Sequence, residues 1–176
     1  MDEYIIHINR REKTDSLRNI EEAIANMHNS GEISHETMPA VLEAVRTAIN
    51  KGDKFIVPIE MPQSAVDIIT SKGAEVGNTV DVPEDSRFRI RPLKLNNGTV
   101  VFAAFTDHEG AMEGEGTSTV TEDIESYLEK ALMNSDIDGV IINPWNMPCY
   151  LPKPFIRMIF ENNLPREREN IIYMGT

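Results

Sequence analysis

Most of the side chains that could do chemistry lie in two short segments of the chain. Residues 106–110 read Thr-Asp-His-Glu-Gly, and residues 143–150 read Asn-Pro-Trp-Asn-Met-Pro-Cys-Tyr. In the first segment Asp107, His108 and Glu109 are candidate metal ligands, because carboxylates suit hard divalent cations and histidine suits zinc. The glycines that follow allow a second interpretation, a loop that holds phosphate. The third is a solvated loop.

The spacing of the first segment favours the solvated loop. Gly110, Gly114 and Gly116 fit neither G-x-G-x-x-G nor a Walker loop, and the glutamates at 113 and 115 would repel an anion. The acidic residues match no recognised pattern of metal ligands. We therefore predict no cofactor and no metal, and keep a divalent cation at this loop as the alternative.

The second segment contains the only tryptophan and the only cysteine of the chain. Trp145 follows a predicted strand, and its amphipathic ring could anchor a partner or ligand, or fill the core beneath the loop. Cys149 would need a neighbouring base to act as a nucleophile. Only His108 is placed to help and no third residue would orient it, so we predict a structural thiol. Without a recognised catalytic motif, we predict no catalytic residue and favour a non-enzymatic protein.

Two buried strands with a helix between them determine where these segments lie. Residues 99–105 and 139–143 are apolar runs of strand length, and the capping-box spacing of Thr119 and Glu122 predicts a helix start between them. The order strand, helix, strand predicts that the two strands are parallel. Because ligands collect beyond the carboxyl ends of parallel strands, both segments should meet in one crevice. The predicted binding residues there are Asp107, His108, Glu109, Asn143, Trp145 and Tyr150.

Two amphipathic helices are predicted before the strands. Thr14 or Asp15 is the expected N-cap of the first and Gly31 its stop, while Thr37 and Gly52 bracket the second. Their apolar stripes could pack in the chain's own core or join two copies of the chain, and the first is favoured. The stripes consist of Leu17, Ile20, Ile24 and Met27 in the first helix, and of Met38, Val41, Leu42, Val45, Ala48 and Ile49 in the second.

The middle of the chain reads as strands near a sheet edge. Residues 55–59 are apolar on both faces, and Pro58 indicates a strand end or an edge strand because proline cannot donate to the ladder. Residues 87–91 alternate between arginine and apolar side chains, and the phase changes at Pro92, which suggests a bulge or another edge strand. Residues 60–86 read as loops.

The remaining signals complete a mixed fold. Asn97-Gly98 predicts a tight hairpin in which both turn residues have φ > 0. A last helix is predicted from Pro152 or Lys153. The predicted fold class is α/β in the α+β sense: helices packed on a mixed sheet, with a β-hairpin, one C-terminal βαβ unit and an N-terminal helix pair.

Composition narrows the partners and the location. The chain has 176 residues with 17 lysines and arginines against 29 acidic residues, so its net charge is -12. That length predicts one domain, and the negative charge argues against nucleic acid and membrane partners. A single cysteine excludes an intrachain disulfide, and no signal-peptide pattern occurs at the N-terminus, so we expect a cytoplasmic protein.

Residues 55–58 (Phe-Ile-Val-Pro), 102–109 (Phe-Ala-Ala-Phe-Thr-Asp-His-Glu) and 139–144 (Gly-Val-Ile-Ile-Asn-Pro) resemble the N-terminal domain of the SseB family. The resemblance covers residues 37–162. It implies a helical extension at 1–36, a core at 37–162 and a tail at 163–176 within a single domain. It also implies a binding or regulatory module with a protein partner and no established active site. The alternative is a small-ligand or metal-binding sensor or enzyme that uses the same crevice.

Overall fold

Five helices and eight strands make up a mixed α+β fold in the computed structural model, which describes residues 7–8, 13–30, 37–60, 89–112 and 118–161. The helices are α1 Asp15–Asn29, α2 Met38–Asn50, α3 His108–Met112, α4 Ile124–Met133 and α5 Lys153–Phe160. The strands are β1 His7–Ile8, β2 Lys54–Glu60, β3 Arg89–Ile90, β4 Pro92–Lys94, β5 Val100–Ala104, β6 Thr119–Asp123, β7 Gly139–Ile142 and β8 Cys149–Pro152. The expected loops at 61–86, the stop at Gly31 and the glycine-rich stretch at 113–116 lie outside the described residues.

The N-terminal helix pair forms as the apolar spacing predicts. The hydroxyl of Thr14 accepts a hydrogen bond from the Leu17 backbone N–H at 3.3 Å and caps α1. Thr37 precedes α2 without a side-chain capping bond, and Pro39 in the first turn fits a helix start. The stripe of α1 is at most 1% exposed and belongs to the same core as α2 and the sheets. It is therefore not available for contact with a second copy of the chain.

The strands form two four-stranded sheets. The first has the order β1-β6-β2-β3 and the second the order β4-β5-β7-β8. The parallel pairing of β5 with β7, which runs from Val101 opposite Gly139 to Ala104 opposite Ile142, confirms the prediction from the strand–helix–strand pattern. A bridge between Ile56 of β2 and Phe105, with N–O distances of 2.9 and 2.8 Å, joins the two sheets.

The expectation that Pro58 marks a strand end or an edge is wrong. Pro58 lies inside β2, which pairs with β6 on one side and with β3 on the other. Peptide groups alternate sides along a strand, and the N–H of Ile56 points to Phe105. The missing N–H of Pro58 therefore faces that same side, at the gap where the partner of β2 changes from Phe105 to Arg91. Proline costs only one ladder bond there, the one that its N–H would have donated, while its carbonyl oxygen still accepts from the Arg91 N–H at 3.0 Å.

The expected helix start at Thr119 is also wrong. Residues 119–123 form β6, which pairs antiparallel with β2 over five residues, and α4 begins only at Ile124. Thr119 is buried in the ladder, so its hydroxyl does not cap a helix. The β-branched residues Thr119, Val120 and Thr121 suit a strand, and pairing with β2 outweighs the local capping pattern.

The hairpin between β4 and β5 is present, but its turn differs from the predicted type. Only Gly98 has a positive φ, at 90°, and no non-glycine residue of the turn does. The Gly98 N–H donates to Leu95 O at 2.9 Å, and the Leu95 N–H donates to Thr99 O at 2.7 Å. This is a longer loop with one left-handed glycine. Among the described strands β4 lies at the edge of its sheet, which is one of the two outcomes, a bulge or an edge strand, predicted from the phase change at Pro92.

Side chains alternate between two cores across the sheets. All helices except α3 pack on one face, where the larger core includes Phe55, Phe102, Tyr127 and Val140. The smaller core on the other face has six buried residues among those the structure describes: Ile56, Val101, Ala103, Phe105, Ala111 and Ile141. No helix in the described part of the chain is both long and apolar enough to span a membrane.

Candidate functional site

The carboxyl ends of β5 and β7 are fastened to each other by Asn143. Its backbone N–H donates to Ala104 O at 2.8 Å and so extends the parallel ladder. Its side-chain Oδ1 accepts from the Thr106 N–H at 3.1 Å, and its Nδ2 donates to Thr106 Oγ1 at 3.0 Å. Asn143 has a φ of 51°, a conformation that asparagine tolerates better than most residues. The two segments picked out from the sequence therefore meet at one edge.

Replacing Asn143 with alanine should lower the free energy of unfolding by about 2–3 kcal/mol. The change removes both side-chain bonds to Thr106, which is 1% exposed, and leaves alanine in the left-handed region. Asn143→Gly is the matched control, since it loses the same bonds without the backbone strain and should be about 1 kcal/mol less destabilised. Urea unfolding measures both. If the free energies of unfolding of Asn143→Ala and Asn143→Gly both lie within about 0.5 kcal/mol of the wild-type value, this role of Asn143 is contradicted.

Asp107 connects the first segment to the N-terminus of α1. Its Oδ1 accepts from the Gly110 N–H at 2.6 Å, which shapes the first turn of α3. Its Oδ2 lies 2.9 Å from Lys13 Nζ. A Cβ at Gly110 would come within 2.9 Å of Asp107 Oδ1, so a side chain there would push the carboxylate away.

Lys13 is held between two carboxylates from different parts of the chain. Its Nζ lies 2.9 Å from Glu21 Oε1 and 2.8 Å from Glu21 Oε2, in addition to Asp107. The hydroxyl of Thr106 donates to Glu21 Oε2. Burial lowers the pKa of Lys13, but hydrogen bonds and charge attraction from Glu21 and Asp107 outweigh burial and raise it above 10.5. The ammonium is therefore charged at neutral pH.

A pocket of about 250 Å³ opens between α1 and the two segments, and we call it the Trp145 pocket. It is lined by Lys13, by Glu21, Ile24 and Ala25 of α1, by Thr106, Asp107 and Gly110, and by Asn143, Trp145, Asn146 and Met147. Trp145 is 44% exposed and Met147 is 40% exposed. Charged groups and Thr106 thus lie beside two apolar side chains that contact water.

The loop that carries Trp145 and Met147 is fixed at both ends. Asn143 fastens its start, and Ile142 pairs with Cys149 across the β7–β8 hairpin. At the far end, His28 Nε2 donates to the carbonyl oxygen of Pro148 at 2.8 Å. The strand β8 was not expected from the sequence, and it turns a predicted free loop into a tight connection of six residues, 143–148. Trp145 is therefore presented from a rigid support.

The structure brings together three of the six residues predicted to form a binding site. Asp107, Asn143 and Trp145 line the Trp145 pocket, whereas Glu109 is exposed on α3 outside the lining. Tyr150 packs against the smaller core on the other face of the sheet, because it alternates with the buried Cys149 and Leu151 along β8. The side chain of His108 lies outside the described residues.

Lys13 and Glu21 are the site residues that the sequence analysis missed. Lys13 reads as part of a charged break before the first helix. Glu21 stands four residues after Leu17 and three before Ile24, so it flanks the buried stripe of α1 on the helix surface. That position beside the stripe is the one sequence signal that could have indicated a carboxylate near the core.

Cys149 is a buried thiol. It is 1% exposed, and burial raises its pKa from 9.0 to about 12. Because the folded pKa is raised, the contribution of the neutral thiol to stability is fully present below pH 9 and is lost as the pH rises through about 12. The thiolate that a nucleophile needs is thus disfavoured at neutral pH, in agreement with a structural role.

Alkylation of Cys149 by iodoacetamide at pH 8 should be at least ~100-fold slower in the folded protein than in urea. Mass spectrometry of timed samples measures both rates, and the unfolded protein serves as its own control. Folded and unfolded rates within tenfold of each other would show an accessible, ionised thiol and would reopen a nucleophilic role.

No family model, no curated protein and no solved structure matched this chain. Among the described residues, no group of three or more histidine, cysteine, aspartate or glutamate side chains could hold a metal ion. The functional conclusion therefore depends on the geometry of the Trp145 pocket.

Proposed function

We propose that this chain is a non-enzymatic binding or regulatory module, of the kind that the resemblance to the SseB family implies, and that it binds a basic segment of a protein partner at the Trp145 pocket. The observation that carries the proposal is the pair of exposed apolar side chains, Trp145 and Met147, on a rigid loop beside two carboxylates.

The apolar half of the site supports a protein partner. Trp145 and Met147 are two of the three large apolar side chains that are exposed in the described part of the chain. Tryptophan is enriched among the residues that dominate protein interfaces, and methionine adapts to irregular partner surfaces. Because Asn143 and His28 already fix the loop, it loses little conformational entropy when a partner binds.

The polar half of the site supports a basic partner. Glu21 and Asp107 line the pocket, Glu109 is exposed nearby on α3, and Lys13 is the only cation among the described residues of the lining. The whole chain carries a net charge of -12, so a basic partner is attracted from a distance as well as at contact. A lysine or arginine next to an apolar residue would complement both halves of the site.

The alternative is a small ligand or a divalent cation in the same crevice. A cation would have to take Asp107 from its present partners, the Gly110 N–H and the Lys13 ammonium. Glu109, another of the three candidate ligands, lies outside the pocket lining. A bare ion would lose these bonds without gaining contact with the exposed side chains of Trp145 and Met147, so the arrangement favours a protein partner.

Selection from a random peptide library displayed on phage tests the proposal without knowledge of the native partner. Wild-type protein should enrich peptides that contain lysine or arginine beside an aliphatic or aromatic residue. The same library should yield no such enrichment on Trp145→Ala. A failure to enrich any peptide, together with a melting-temperature rise on a metal or metabolite panel, would favour the small-ligand alternative.

A further inference from the structure

We infer that the Lys13 ammonium occupies the place in the Trp145 pocket that a basic side chain of the partner takes on binding, so that Lys13 is an internal competitor for the site. This inference rests on the proposed function and specifies how the same site is regulated. Neutralising Lys13 would open the pocket to a partner cation.

The position of Lys13 supports the inference. Its Nζ contacts Glu21 and Asp107 at 2.8–2.9 Å, and these two carboxylates reach the pocket from α1 and from the end of β5. Both carboxylates are only partly exposed, at 28% and 33%, so they lie recessed within the pocket. An ammonium or guanidinium entering past Trp145 would meet the same two carboxylates.

The surroundings of the carboxylates suit a cationic side chain with an aliphatic stem. Ile24 and Ala25 of α1 provide an apolar wall, and Trp145 and Met147 provide the mouth. An aromatic ring within reach of a cation adds attraction through its π face. The pocket volume of about 250 Å³ is large enough for an arginine or lysine side chain.

The charge of Lys13 determines how strongly the pocket attracts an external cation. With Lys13 present, one positive charge stands against the two negative charges of Glu21 and Asp107. Loss of the Lys13 charge removes the cation that contacts both carboxylates, and an external cation is then attracted to them more strongly. Lys13 also lies just before the cap of α1, at Thr14, so its stem can leave the pocket without disturbing the helix.

Titration with n-butylguanidinium, followed by the fluorescence of Trp145, tests the inference directly, because Trp145 is the only tryptophan of the chain. Lys13→Gln, which removes the charge, should bind this cation at least tenfold more tightly than wild type. Lys13→Arg should bind as wild type does. The neutral isostere n-butylurea should bind all three proteins equally weakly. An affinity for n-butylguanidinium that is unchanged or lower in Lys13→Gln would overturn the inference.

Two further measurements keep the inference testable if Lys13→Gln does not fold. Lys13→Met makes the same charge change and keeps the apolar stem, so it replaces Lys13→Gln if melting shows that the latter is unfolded. In wild type, lysine side-chain NMR should show the Lys13 signal move toward that of a free lysine as the cation is added. A Lys13 signal that stays fixed while Trp145 reports binding would also overturn the inference.

The outcomes separate this inference from the proposed function. If Lys13→Gln gains no affinity for the cation but selected basic peptides still depend on Trp145, the competitor role of Lys13 is wrong and the binding module stands. If Lys13→Gln binds the cation tightly but no peptide is selected, the cation subsite is correct and the protein partner is wrong.

Discussion

Trp145→Ala should weaken the binding of selected basic peptides at least ~30-fold, which corresponds to roughly 2 kcal/mol, while folding stays intact. The ring is 44% exposed and lies at the mouth of the pocket, outside both hydrophobic cores. Its removal therefore takes away the central apolar contact of the site without opening a cavity in the core. Fluorescence polarisation of a labelled peptide measures the affinity, and thermal melting measures the fold.

Met133→Ala is the matched control for this prediction. Met133 is a large apolar side chain that is 86% exposed at the end of α4, and it does not line the pocket. Its replacement should change the peptide affinity by less than about twofold. Equal losses in Trp145→Ala and Met133→Ala would indicate nonspecific adhesion. A Trp145→Ala protein that binds as wild type does would remove the pocket from the interface.

Gly139→Ala should lower the free energy of unfolding by at least about 3 kcal/mol. A Cβ at this position would lie 2.3 Å from the carbonyl oxygen of Leu151, 2.9 Å from the Cα of Pro152 and 3.0 Å from the Tyr150 ring. Two of these neighbours are backbone atoms of β8, which is paired with β7 and cannot move without breaking the ladder. The loss should appear as a melting temperature lower by roughly 6–12 °C.

Gly98→Ala distinguishes a clash from the general cost of losing a glycine. A Cβ at Gly98 meets nothing within 4 Å, and only its φ of 90° opposes an alanine. The expected cost is therefore about 1–2 kcal/mol. If Gly139→Ala is no more destabilising than Gly98→Ala, β8 does not pack on β7 as described.

The fold was predictable where a periodic apolar pattern coincides with burial. The stripes of α1 and α2 and the apolar runs of β5 and β7 are long enough to be decisive, and all four elements contribute buried side chains to the larger core. The predictions of secondary structure were wrong where pairing with a distant strand determines the conformation. Thr119 and Glu122 have the spacing of a helix cap, but β2 recruits them into a strand. No local signal reports which distant strand will be adjacent.

The candidate site was predictable in part for a similar reason. The rule that loops meet beyond the carboxyl ends of parallel strands placed Asp107, Asn143 and Trp145 together. Glu21 hydrogen-bonds to Thr106 across 85 positions of sequence, and no spacing rule reaches that far. Tyr150 was misplaced because β8 was read as a loop, and a strand sends alternate side chains to opposite faces.

Hydrogen exchange of the protein with and without a selected basic peptide tests the central claim most directly, because it locates the bound surface without mutation. We predict slower exchange at residues 106–107 and 143–148 and in the part of α1 that contains Glu21 and Ala25, with little change elsewhere in the described chain. Protection confined to another surface, such as the edge strand β4 or the end of α4 near Met133, would contradict a binding site at the Trp145 pocket.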